Sequence, residues 1–196
     1  MLRNASLHSP GRRGWFAAAA IASLVVPMAL ASNGAAGLKS GLQVGEFANP
    51  FSVRAVTGPY RGKTLCYRCK LGTSPVVCIF ARRITGALTG LLKQLDARLA
   101  HEHDLKALVV LLTDDPDRTA ARLTDLAREC QLQYVPLTLV ANPSGPQDYK
   151  LAEEAEVTIL SWKGPKVRSN RAYAAGQMAE ADASALLSEL HKIFKD

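Results

Sequence analysis

The run Val76-Val77-Cys78-Ile79-Phe80-Ala81 is apolar at every position, and a few residues later the apolar spacing becomes helical. A strand with no polar face has no side to show to water, so it must be covered on both faces. From Thr85 onward, Leu88, Leu91, Leu92, Leu95 and Leu99 recur at helical intervals, which predicts an amphipathic helix to about Ala100. A doubly buried strand followed by a one-faced helix is the unit of parallel sheets with crossover helices. The unit recurs. Ala107 to Leu112 is a second apolar run of strand length. Asp114 and Asp115 then precede Pro116, a carboxylate cap followed by a proline suited to a first helical turn. Leu123, Leu126, Ala127 and Cys130 mark the inner face of the helix that follows. Tyr134 to Val140 reads as a third strand, with Pro136 near its entry, where a missing ladder donor does least harm.

The ends of the domain read differently. Phe51 to Val56 is a short strand, and the Gly- and Pro-bearing stretch Thr57 to Lys63 supplies turns. Cys66 to Ser74 reads as a loop. Val157 to Trp162 and Lys166 to Arg168 form a hairpin around Lys163-Gly164-Pro165, which adds antiparallel strands. Ala183, Leu186, Leu187, Leu190 and Phe194 predict a last amphipathic helix. The expected class is α/β, with a mixed central sheet and helices on both faces.

Charge is informative mainly for where it lies. The formal net charge is +7, but Arg3, Arg12 and Arg13 open the chain without an acidic partner, ahead of the Ala-rich apolar stretch Trp15 to Leu30. Ala29-Leu30-Ala31 offers a small-x-small cleavage pattern, so residues 1–31 are expected to be an export signal. The stretch is shorter than the roughly 20 residues of a membrane span and is broken by Pro27, although a retained anchor is the competing reading. Arg12-Arg13 ahead of Gly14-Trp15-Phe16 resembles a twin-arginine signal. Without this leader the balance falls to 21 basic against 17 acidic residues, which gives little support to nucleic-acid binding. Residues 32–43 read as a flexible lead-in and 44–196 as one domain, with no further run long enough for a membrane.

Export would place the four cysteines where disulfides persist. Cys66 and Cys69, two residues apart, can close a small disulfide ring or share a metal. The metal reading lacks ligands: Cys78 lies inside a strand, and His101 and His103, two apart at a helix end, point different ways. Lys70 stands where haem attachment would want a histidine. No cofactor is therefore expected. A redox pair and a structural staple both remain. Arg61, Lys63, Arg68 and Lys70 surround the pair and would favour a thiolate, whereas the loop assignment leaves it without a helix start. Cys78 and Cys130 read as small buried hydrophobes, and Trp162 and Tyr173 as packing aromatics.

The order of elements, the placed Pro136, and the opening Val44-Gly45-Glu46-Phe47 through Val53 to Gly58 and Gly62-Lys63 together resemble the thioredoxin-like superfamily. The opening is similar to that of its peroxiredoxin-like branch, the alkyl hydroperoxide reductase/thiol-specific antioxidant group. The resemblance spans roughly Val44 to Phe194 and implies a three-layer sandwich. It also implies a cis Val135–Pro136 peptide facing the active site, and Cys66 as the attacking residue of its pair. Such families place Cys-x-x-Cys, or a peroxidatic cysteine, just after the first central strand. Here Arg82-Arg83-Ile84-Thr85 occupy that stretch, and the next cysteine is Cys130.

Two functions are expected from these readings. One is an exported, periplasmic or secreted thiol-disulfide oxidoreductase that uses Cys66 and Cys69 on a protein thiol or disulfide partner. The other is a binding or scaffold domain with a structural Cys66–Cys69 bridge. A peroxidase is the least expected. Arg82 and Arg83 either line an anion- or partner-binding pocket beside Pro136 or form a solvated pair.

Overall fold

The computed structural model describes residues 38–194. The expected leader, 1–31, lies outside them. Seven strands form one sheet in the order β2-β1-β5-β4-β3-β6-β7. They are β1 (Val53–Ala55), β2 (Thr64–Leu65), β3 (Val76–Ala81), β4 (Lys106–Leu112), β5 (Leu137–Val140), β6 (Ala155–Lys163) and β7 (Lys166–Ala174). Four helices connect or flank them: α1 (Tyr67–Leu71), α2 (Gly86–Leu99), α3 (Pro116–Glu129) and α4 (Glu180–Phe194). Pairing of β3 with β4 and of β4 with β5 is parallel, as strand–helix–strand crossovers require, whereas β6 runs antiparallel to β3 and β7 to β6.

Alternation along the strands divides the interior into two cores, one on each face of the sheet. Val77, Ile79 and Ala81 of β3 join Val109 and Leu111 of β4 beneath Leu88, Leu91, Leu92 and Leu95 of α2, Leu123 of α3, and Leu186 and Leu190 of α4. Val76, Cys78 and Phe80 point the other way, with Leu108, Val110, Leu160 and Trp162, beneath Tyr67 of α1 and Tyr149. Both faces are thus covered, which explains the unbroken apolar run of β3. Cys78, Trp162 and Tyr173 are buried packing residues, as expected.

The second face is closed by aromatic packing and by the N-terminal strap. Phe51 lies 4.7 Å from Tyr149 and 5.6 Å from Phe80, ring centre to ring centre. The Tyr149 hydroxyl donates to the Asn49 carbonyl at 2.7 Å, tying the strap to the core. Residues 40–43, expected to be a loose lead-in, are instead packed. Ser40 Oγ shares a 2.7 Å hydrogen bond with Thr158 Oγ1, Asn170 donates to the Ser40 and Leu42 carbonyls, and Leu42 is buried. Ser40 also accepts the Ala152 amide through its hydroxyl, so this one small polar side chain makes close hydrogen-bonded contact on two sides. Beyond them, Gly45 and Ala48 donate to Val167 and Pro165, and Val167 donates back to Glu46. The strap thereby pairs the beginning of the outer edge of β7, at Lys166 and Val167, which would otherwise offer an unpaired amide there.

Capping follows the sequence. Thr85 Oγ1 accepts the Leu88 amide at the start of α2, and Asp115 Oδ1 accepts the Arg118 amide at the start of α3, with Pro116 in the first turn. Cys130 differs from its expectation. It sits at the C-cap of α3, half-buried against the core, with a free thiol. Among the described residues no helix is long and apolar enough to cross a membrane.

Candidate functional site

Cys66 and Cys69 form a disulfide, with Cα atoms 5.3 Å apart. They do not lie in a loop. Cys66 is the N-cap of the five-residue α1, and its Sγ accepts the Cys69 amide at 3.0 Å. The helix ends at Gly72, whose φ of 57° an L side chain would resist. Arg68 and Lys70 fall in its last turn, where positive charge suits the carbonyl end. The segment is too short to show periodicity, so its helical form was hidden in the sequence. Cys69 is exposed and Cys66 half-buried, which leaves the bond open to an incoming thiol.

The basic residues around the pair are partly committed elsewhere. Arg68 donates to the Ala48 and Gly72 carbonyls, which fixes α1 to the strap. Lys70 Nζ lies 5.9 Å over the Tyr60 ring. What sequence reading missed is the aromatic wall. Tyr67, the first residue between the cysteines, is buried at 3% exposure, and Tyr60 meets it edge-on at 5.7 Å. Tyr60, Tyr67, Leu71, Tyr134, Lys106 and Pro136 line a mostly apolar groove of about 300 Å³. Among the described residues the buried Tyr67 hydroxyl has no hydrogen-bond partner, and burial pushes its pKa up to about 12, with Tyr60 adding a smaller effect.

Pro136 therefore does stand near the cysteine helix, through Tyr67. The Val135–Pro136 peptide, however, is trans, contrary to the cis bond implied by resemblance. The backbone there is already satisfied by ordinary geometry: Asp96 accepts the Val135 amide, and the Pro136 carbonyl accepts from Val109. Trans is also the lower-energy isomer of an X–Pro bond. Asp96 was not foreseen as a key residue. Its buried carboxylate accepts the Gln133, Tyr134 and Val135 amides at 2.8–3.1 Å, so it sets the course of the chain into Pro136. The signal available was an acid on the inner stripe of α2, next to Leu95.

Arg82 and Arg83 lie elsewhere. They line a separate pocket where β3 and β4 pass into α2 and α3, and Pro136 is not among its walls. Through the parallel register Ile79 is level with Val109 and Leu137. Pro136 therefore sits about four residues, roughly 13 Å, back along the strand direction from Arg82. Arg82 is not a solvated residue either: its guanidinium donates to the carbonyls of Ala155, Pro143 and Ala152. Arg83 is exposed, with Glu156 4.0 Å away. Cys78 is fully buried and its thiol pKa is raised well above the usual range by desolvation, which makes it inert as a nucleophile.

Comparison with solved structures gives the same architecture. The chain superposes on a candidate protein disulfide isomerase from Bacteroides thetaiotaomicron with a TM-score of 0.61 at 14% identity, covering 81% of this chain and 96% of that one. A candidate thiol:disulfide interchange protein DsbE from Chlorobium tepidum gives 0.58 at 14% identity, covering 79% and 99%. Peroxidoxin BcpB from Mycobacterium tuberculosis gives 0.53 at 18% identity, again covering 79% and 99%. No protein-family model matches the chain, and no curated protein is a significant match. At such identities the likeness establishes fold. The protein has a thioredoxin-like α/β fold, and it carries a disulfide-bonded Cys-x-x-Cys on a short helix ahead of the first central strand.

Proposed function

We propose that the protein is an exported thiol-disulfide oxidoreductase that exchanges disulfides with protein partners through Cys66 and Cys69. The observation that carries this reading is the exposed Cys66–Cys69 bond at the start of α1, with the Cys69 amide directed at Cys66 Sγ. In the reduced protein that N–H would stabilise a Cys66 thiolate, and Arg68 and Lys70 nearby act in the same sense. The Cys66 thiolate attacks a partner disulfide, forms a mixed disulfide and releases one partner thiolate. Cys69 then attacks Cys66 Sγ, closing the Cys66–Cys69 bond and releasing the second partner thiolate. The protein is oxidised by two electrons and the partner reduced by two; the reverse sequence oxidises a partner dithiol.

Residues 1–31 serve as the export signal in this reading, which suits a disulfide that forms in a periplasm or outside the cell. The rival is a scaffold domain in which the bond staples α1, a role favoured by the burial of Tyr67 and the Arg68 clamp onto Ala48. Trapping puts the exchange reading to the test. Reduced Cys69→Ser, mixed with glutathione disulfide, is expected to accumulate a stable adduct on Cys66, seen as added mass. No adduct under oxidising conditions would leave only the staple.

A further inference from the structure

We propose that the pocket at the carboxyl ends of β3 and β4 binds a small molecule carrying two or more oxyanion charges, independently of the cysteine pair. The cavity measures about 830 Å³, within the range of ordinary small-molecule sites, and neither Cys66 nor Cys69 lines it. Four arginines do: Arg82, Arg83, Arg118 and Arg122. Arg82 is structural, its guanidinium spent on three carbonyls that hold the loops after β5 and before β6 in place. The other three are available. Arg83 has only the distant Glu156, at 4.0 Å. Arg118 and Arg122 are exposed, and among the described residues their guanidinium groups make no hydrogen bond or ion pair.

Arg118 and Arg122 are four residues apart on α3, so like charges are held on one helix face, an arrangement that costs stability unless something offsets it. Four other arginines do have a carboxylate partner: Arg54 with Asp117, Arg98 with Glu102, Arg128 with Asp125 and Arg171 with Glu189. Two carboxylates, Asp114 and Asp115, also face the pocket, and Asp115 is engaged in capping α3. The lining is therefore net positive, with Arg83 just after β3 and Arg118 and Arg122 on α3. Guanidinium forks match phosphate and carboxylate oxygens in pairs, and several of them select for more than one negative charge. Phosphate-bearing and polycarboxylate molecules share that chemistry.

Titration calorimetry of the intact protein with inorganic pyrophosphate and, separately, with citrate tests this at constant ionic strength. Saturable one-site binding of either probe is expected. Pyrophosphate alone would mark a phosphate-bearing ligand, citrate alone a polycarboxylate, and both a site that reads charge. Arg118→Gln and Arg122→Gln are each expected to weaken binding roughly tenfold, while Arg61→Gln, outside the pocket, leaves it unchanged and thermal unfolding confirms that all three fold. Exchange through Cys66 and Cys69 should be unaffected, so failure here is distinct from failure of the redox reading. Absence of saturable binding by both probes, or equal weakening in Arg61→Gln, would overturn the proposal.

Discussion

Single residues carry unequal weight in this molecule, and Asp96 alone holds three successive backbone amides. A buried carboxylate that accepts three successive amides leaves them unsatisfied when it is removed. Asp96→Ala is therefore expected to cost about 3 kcal/mol in urea unfolding. Tyr67 works in the opposite direction. Its hydroxyl is buried and unpartnered, so Tyr67→Phe should leave neutral-pH stability within about 1 kcal/mol of the parent, or raise it. The pH dependence follows from burial. The hydroxyl ionises near 12 in the folded protein and near 10 in the unfolded chain, so the folded state holds its proton longer. The stability linked to it is intact below about pH 10 and lost as pH rises toward 12. Tyr67→Phe should flatten that alkaline loss when unfolding midpoints are compared across the window.

At the scale of elements, α1 is the segment whose order depends on covalent help. Five residues cannot sustain a helix alone, and here the disulfide, the Cys66 cap and the Arg68 clamp hold it. Reduction is expected to speed amide exchange at Cys69 and Lys70, while the core amides of α2 stay protected, as read by hydrogen exchange. The turn before it has its own constraint. Gly58 has φ +79°, and a Cβ there would meet Pro136 Cβ at 2.9 Å, so Gly58→Ala should cost about 1–3 kcal/mol. These features also mark the limits of what could be read from sequence. β3, α2 and α3 were legible because long stripes and caps repeat a period. α1 and the two-residue β2 are too short to have one. β7 runs to Ala174 rather than stopping at Arg168, because an edge strand can carry Ser169, Asn170 and Arg171 without a buried pattern. The cysteine spacing was visible, but the groove of Tyr60, Tyr67, Tyr134 and Pro136 joins residues far apart in the chain. Proline's presence said nothing reliable about its isomer.

For the whole molecule, the sheet order and the two cores place three distinct chemistries on one frame. The cysteine helix and its aromatic groove lie together, the arginine pocket stands at the strand ends, and the strap pairs with the start of β7. No cysteine follows β3 directly; Arg82 and Arg83 stand there, and the proposed exchange rests on the Cys66–Cys69 bond ahead of that strand. Exchange requires that their bond form and break within the range used by biological dithiols, not merely that it exist. The reduction potential of the Cys66–Cys69 couple, measured by equilibrating the folded protein in defined thiol buffers and counting free thiols by mass, tests this most directly. Oxidoreductase function predicts a value between about −120 and −270 mV, and a bond that resists reduction to below about −300 mV would contradict it.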